Sequence, residues 1–232
     1  MGAITGAMTY CGPPPLPAEL WTSWNLDPRL LVGLAAAALL AGCDRYGATA
    51  VAVLFVAFVS PLCALSAALF SARVVHHVLL IAVAAPLLAL AFPARRSGGV
   101  TPWLVAMTGM LWLWHLPPLY DLALADTRAY WAMQGSLLAT SFLFWRAALS
   151  PAQPAPAALL GVLAGFIQMG LLGALLTFAP DPLYAAHALA PFDWGLAPIV
   201  DQQLGGLIMW VPACILFALW GAGAARRTWQ AA

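Results

Sequence analysis

The apolar positions of this chain fall in long unbroken runs between short polar or proline-rich breaks, a pattern that predicts membrane-spanning helices. Seven spans are expected. The first runs from Leu30 to Cys43 and is short against the ~20 residues a hydrocarbon core needs. The second runs from Ala48 to Phe70 with Pro61 inside it, and the third from Val74 to Phe92. The fourth runs from Pro102 to Leu116 and stops at Pro117-Pro118. The fifth covers Tyr130 to Leu149, the sixth Ala155 to Ala179, and the seventh Pro198 to Ala222 with Pro212 inside. The predicted fold is therefore all-α: a polytopic bundle over 30–222, an outer N-terminal segment over 1–29 and a cytoplasmic tail over 223–232. No repeat suggests the inverted halves of a transporter. Gly161, Gly165, Gly170 and Gly173, with Gly205 and Gly206, allow helices to approach closely.

Composition supports the lipid setting. Hydrophobic residues make up 64% of the chain and charged ones 7%, where a soluble domain carries about a quarter charged. Alternating ten-residue barrel segments are absent. A net charge of +1 gives no footprint for nucleic acid. The four cysteines (Cys11, Cys43, Cys63 and Cys214) are widely spaced, so the spacing itself argues for neither a zinc site nor a disulfide framework. The first ten residues lack a charged n-region and an apolar h-region, so the first span is expected to act as its own insertion signal.

All nine basic residues are arginine, and they set the expected orientation. Seven spans place Arg45, Arg95, Arg96, Arg146, Arg226 and Arg227 on one side and Arg29, Arg73 and Arg128 on the other. The richer side is expected to be cytoplasmic, which puts the amino terminus outside and the carboxyl terminus inside.

That topology carries all four histidines to the outer face. His76 and His77 open the third span, His115 closes the fourth, and His187 lies in the loop between the sixth and seventh. Asp201 opens the seventh span with Gln202 and Gln203. Ionisable groups at membrane depth are candidates for function, and imidazole is the commonest metal ligand, suited to copper and zinc. His76, His77 and His115 are the leading metal ligands, followed by Asp201, His187 and Met110, the methionine nearest His115 that could serve Cu(I). Asp201 has a structural role open to it as well, at the positive end of a helix dipole. His77 with His115 could alternatively supply the axial ligands of a haem. No GxSxG, HExxH, P-loop or dinucleotide turn is present, so no catalytic residue is assigned, and binding or delivery is favoured over turnover.

These residues also carry a resemblance. Ser60-Pro61-Leu62-Cys63 is followed by Leu69-Phe70-Ser71, His76-His77-Val78-Leu79-Leu80 and Ala85-Pro86-Leu87-Leu88. Then come Trp114-His115-Leu116-Pro117-Pro118-Leu119-Tyr120, Asp181-Pro182-Leu183-Tyr184 and Asp201-Gln202-Gln203-Leu204-Gly205-Gly206 leading into Leu207-Ile208-Met209-Trp210-Val211-Pro212. Over roughly Leu30 to Trp220 the chain resembles the CtaG family of caa3-type cytochrome c oxidase assembly factors, multispan proteins of the bacterial cytoplasmic (inner) membrane, and not the single-span copper chaperone that shares the name. The resemblance implies a non-enzymatic factor that supplies or inserts copper at the extracytoplasmic face. Its implied partners are membrane lipid, cytochrome c oxidase subunits and a soluble copper donor. A metal-free assembly scaffold is the alternative. Family members resemble one another in a histidine four residues before the one matching His77; here that position is Arg73, which cannot ligate a metal. Either His76 takes its place or the ligand set of this chain differs from the family's, and a subfamily with a different client is a further alternative.

Overall fold

A computed structural model describes residues 9–94 and 98–231, with side chains as far as Arg226. Arg95, Arg96 and the side chain of Arg227, three of the arginines behind the expected orientation, lie outside the described residues, as do residues 1–8. Every regular element among the described residues is helical. The helices are α1 (Pro28–Ala41), α2 (Arg45–Phe58), α3 (Pro61–Ala68), α4 (Phe70–Val78), α5 (Ala85–Ala91), α6 (Thr101–Trp114), α7 (Pro117–Ala125), α8 (Thr127–Ala148), α9 (Ala155–Phe178) and α10 (Pro198–Ala231). Residues 223–231, expected as a tail, continue α10.

Three helical stretches are long and apolar enough to cross a membrane: Phe70–Ala91, Ala155–Phe178 and Pro198–Arg226. The pair α2 and α3, bent by 46°, makes a fourth if it counts as one span. The remaining expected spans correspond to α1 and α6, of 14 residues each, and α8, of 22. Fourteen residues reach about 21 Å at 1.5 Å per residue.

The breaks have local causes. Ser60 caps α3 by accepting from Leu62 N–H, and Pro61 at the first helical position cannot continue α2. Leu69 is extended between α3 and α4, a break with no proline or glycine to announce it. Between α4 and α5 the chain winds as a π-helix over Leu79–Ala84. Pro86 has no N–H for the Ala82 carbonyl, and Ala85 N–H bonds to Leu80 rather than Ile81. Two indoles take the freed carbonyls, Trp145 donating to Ile81 at 2.8 Å and Trp220 to Ala82 at 2.8 Å. At Pro117-Pro118 the chain does not leave the bundle but restarts as α7, with proline at its first turn.

The outward faces are apolar. Leu160, Leu163, Ile167, Leu171 and Leu175 form an exposed stripe along α9, and Leu204, Leu207, Val211, Ile215 and Leu219 another along α10. Such faces are unsuited to water and natural against lipid. Inside, Gly173 and Gly206 bring α9 and α10 together: a Cβ on Gly173 would stand 2.8 Å from the Gly206 carbonyl oxygen. Gly205 does the same for α10 against the Phe70 ring of α4. These contacts set α4, the helix of His76 and His77, into the bundle core.

Candidate functional site

His76 and His77 occupy the last turn of α4 and are 0% and 2% exposed. His115 follows the last residue of α6 and is 6% exposed. Ring centroids lie 5.8 Å apart for His76 and His77, and 6.3 Å for His77 and His115. The three imidazoles form one dry cluster drawn from two helices. Phe58 stands edge-on to His76 at 4.9 Å and stacks on Trp131 at 5.4 Å, closing the cluster on one side.

The hydrogen bonding of these rings is incomplete. His115 Nδ1 lies 2.7 Å from the Leu111 carbonyl, which can only accept, so Nδ1 carries the proton and Nε2 presents a lone pair. That Nε2 has no partner. His77 Nε2 meets the Gln134 side-chain amide of α8 at 3.3 Å, while His77 Nδ1 has none. His76 has the Ala57 backbone of α2 as a hydrogen-bonding neighbour of poor geometry and no other partner among the described residues. Buried polar atoms are ordinarily satisfied, so the incomplete pairing of three neighbouring imidazoles, with His77 Nδ1 and His115 Nε2 unpartnered, is a departure.

Arg73, one turn earlier on α4, is fully buried. Its Nε donates to the Ser66 carbonyl at 3.2 Å, and its guanidinium lies 5.4 Å over the Tyr130 ring, with the Tyr130 hydroxyl as a further hydrogen-bonding neighbour.

His187 and Asp201 stand apart from this cluster. His187 Nδ1 donates to the Ala68 carbonyl at 3.3 Å, and Nε2 accepts from the Tyr120 hydroxyl at 2.8 Å. Burial, with the Arg73 charge as a lesser cause, lowers the His187 pKa to about 3, so the ring is neutral. Asp121 of α7 accepts from the N–H groups of Ala185 and Ala186 and so anchors the turn that carries His187. Asp201 caps α4 from α10: its carboxylate accepts from Phe70 N–H at 2.6 Å and from both the N–H and the hydroxyl of Ser71. Gln202 beside it accepts from Leu183 N–H at 2.7 Å. Met110 is half-buried and lies five positions before His115, about 140° round α6 from it.

The structure thus brings together His76, His77 and His115 and gives His187 and Asp201 full sets of partners elsewhere. Among the described residues no three His, Cys, Asp or Glu side chains are close enough to hold one ion between them. Two residues that sequence reasoning did not single out join the cluster: Gln134, the only glutamine of its helix, and Tyr130, which shares Arg73. The structure also bonds Cys11 to Cys63, joining the N-terminal segment to the start of α3, although the cysteine spacing had argued for no such pairing. Cys11 lies 3.4 Å from the Tyr130 hydroxyl, and Tyr10 stacks on the Tyr130 ring at 5.0 Å, so the disulfide holds the N-terminal segment beside the cluster.

An all-helical bundle with lipid-facing apolar stripes and an orphaned histidine cluster at the end of a core helix defines a membrane protein with a buried polar centre. Residues 99–231, more than half of the chain, match the family described as cytochrome c oxidase caa3 assembly factor (Caa3_CtaG), and the chain belongs to that family. The matched stretch holds His115, His187 and Asp201. No curated protein and no solved structure matches the chain.

Proposed function

We propose that this chain holds copper for a cytochrome c oxidase during its assembly, on the extracytoplasmic side of the membrane, with His115 and His77 as ligands and His76 beside them. One observation carries this reading: His115 is fixed by Leu111 as a tautomer whose Nε2 lone pair meets no donor, and it faces a second imidazole with an unpaired nitrogen. A ring nitrogen steadied by a carbonyl on its far side is the usual arrangement of a metal-ligating histidine. The residues that would hold an ion here are His115, through Nε2, and His77, whose rings lie 6.3 Å apart. As oriented, the Gln134 amide N–H donates to His77 Nε2, which leaves the proton on Nδ1; a flip of the amide that turns Oε1 onto Nε2–H would free the Nδ1 lone pair for an ion.

Copper fits better than zinc. A structural zinc site wants four ligands, and the cluster offers no carboxylate or thiolate. Arg73 places a positive charge one turn away, which favours a singly charged ion over a doubly charged one. The family's work is assembly, and we read this chain as non-catalytic.

The same reading takes α1, the α2–α3 pair, α4 with α5, α6, α8, α9 and α10 as seven crossings of the bacterial cytoplasmic membrane, with the amino terminus outside. The Cys11–Cys63 bond supports that orientation, because disulfides persist in oxidising compartments. The exposed thiol of Cys43, at the opposite end of α1, then faces the cytoplasm. A membrane-impermeant maleimide should label Cys43 only after permeabilisation; labelling of intact cells would reverse the topology.

Copper analysis of the gently purified protein tests the main reading. About one copper per chain is expected, falling at least tenfold in H77A/H115A. Unchanged copper in that variant would overturn it. A metal-free scaffold is the second reading, favoured by the missing third ligand. Co-purification of an oxidase subunit with copper-free protein would select it, and a Soret band would select haem instead.

A further inference from the structure

The Cys11–Cys63 bond sits in surroundings that suit charged sulfur better than a closed disulfide. Both sulfurs are buried and each meets a donor. The Tyr130 hydroxyl lies 3.4 Å from Cys11 Sγ, and the Asn25 side-chain N–H reaches Cys63 Sγ at 3.7 Å. Neutral sulfur is a weak acceptor. A thiolate is a strong one, and a nearby cation steadies it. Arg73 supplies that cation. Its guanidinium is fully buried, lies 5.4 Å over the Tyr130 ring and has the Tyr130 hydroxyl as a hydrogen-bonding neighbour, so one hydroxyl stands between Arg73 and the Cys11 sulfur. Arg73 also meets the helix of the other cysteine, because its Nε donates to the carbonyl of Ser66, one turn after Cys63 on α3. The one buried carboxylate among the described residues, Asp201, is occupied by Phe70 and Ser71.

We propose that Cys11 and Cys63, opened to thiolates, form a second copper site that takes Cu(I), and that the closed bond is the empty form of that site. Thiolates are soft ligands and select Cu(I). Two thiolates and one Cu(I) together carry one net negative charge, which the Arg73 guanidinium offsets. Arg73 lies one turn before His76 and His77 on α4, so the thiol site and the histidine cluster share a wall. This rests on the copper-holding reading and adds a place beside the histidines where copper is received. Opening the bond needs a reductant, a dithiol of the extracytoplasmic space. Its thiolate attacks Cys11, which is 7% exposed where Cys63 is 0%, forms a mixed disulfide and releases Cys63 as a thiolate. The second thiol of the reductant then displaces Cys11. The reductant leaves as a disulfide, its two protons pass to the two cysteines, and binding of Cu(I) releases those protons to water.

The test uses full-length H77A/H115A in detergent under argon, which leaves the cysteines as the proposed ligands. One sample keeps the bond closed, and the other is opened with dithiothreitol that is then removed. Cu(I) is titrated into each against bicinchoninate. The opened sample should take about one Cu(I) per chain, with sulfur scattering at the copper edge, and the closed sample at least tenfold less. An opened sample that takes no Cu(I) would overturn the proposal. So would a bond that dithiothreitol leaves closed in the folded chain, or loss of helical circular dichroism on opening, since either makes the bond a fixed staple. The converse variant, C11S/C63S, separates this proposal from the histidine reading. Loaded with Cu(I), it should keep the copper held through His77 and His115. If it is folded and copper-free, the histidine reading fails. If it holds copper and opened H77A/H115A does not, only the thiol site fails.

Discussion

His115 and His187 sit in the same part of the bundle, and Tyr184, three residues before His187, donates from its hydroxyl to the His115 carbonyl at 3.1 Å. Both are buried imidazoles with one nitrogen on a backbone carbonyl. They differ at the other nitrogen. His187 Nε2 receives the Tyr120 hydroxyl, and the ring becomes a strut between α7, α3 and the loop before α10. His115 Nε2 receives nothing and faces His77, which has its own unpaired nitrogen. Burial alone therefore does not separate a structural histidine from a candidate ligand. The accounting of the second nitrogen does. Asp201 falls with His187: its carboxylate is spent on the first turn of α4, where a helix N-terminus wants an acceptor.

Substitutions should divide along that line. The largest effect is expected for H77A/H115A, which removes at least nine-tenths of the bound copper per folded chain; the variant also gives up the His77–Gln134 contact to α8 and opens two buried cavities, so some stability is lost with the copper. Copper retained per folded chain would instead make these rings structural and erase the contrast. D201A should do the opposite: it strips the acceptors from Phe70 and Ser71, at about 1–3 kcal/mol for each buried donor left unsatisfied, with copper per folded chain unchanged. Differential scanning in detergent alongside metal analysis reads both. Next, C11S/C63S should lower stability by about 2–4 kcal/mol, since the bond closes a loop over a sequence separation of 52.

H187N is expected to have the smallest effect, about 1–3 kcal/mol for partners left unsatisfied at Tyr120 and Ala68. It also carries a pH signature. The unfolded ring titrates near 6.5 and the folded one at about 3. Between those values the unfolded chain binds the extra proton, so stability falls as pH drops through the window, by up to about 1.4 kcal/mol per unit for this group. Above pH ~6.5 the group contributes no slope. H187N should flatten part of the acid limb of a melting-temperature profile; an unchanged limb would place the titration elsewhere.

Much of this was legible in the sequence, and the rest was hidden for physical reasons. The run lengths marked α8, α9 and α10, and Pro61 lay where the second span breaks, since proline at a first helical position acts locally. The extended Leu69 was not legible, because its cause is Asp201, 132 residues away, which caps the helix that starts after it. The π-helix needed Pro86 together with Trp145 and Trp220 from two other helices, so no local pattern announced it. The convergence of His77 and His115 was expected from a shared depth, although the span that carries His77 begins earlier than expected, at Phe70, and places His77 at its eighth residue. What separated them from His187 was Tyr120, a partner 67 residues from it in the chain. The Cys11–Cys63 bond was invisible because it joins a segment outside the bundle to the start of α3.

X-ray absorption at the copper edge, on protein purified with one equivalent of Cu(I), tests the central claim most directly. Imidazole nitrogen scattering that disappears in H77A/H115A and survives in H187N and D201A is the expected result. A sulfur-dominated shell, or imidazole scattering that persists without His77 and His115, would contradict it.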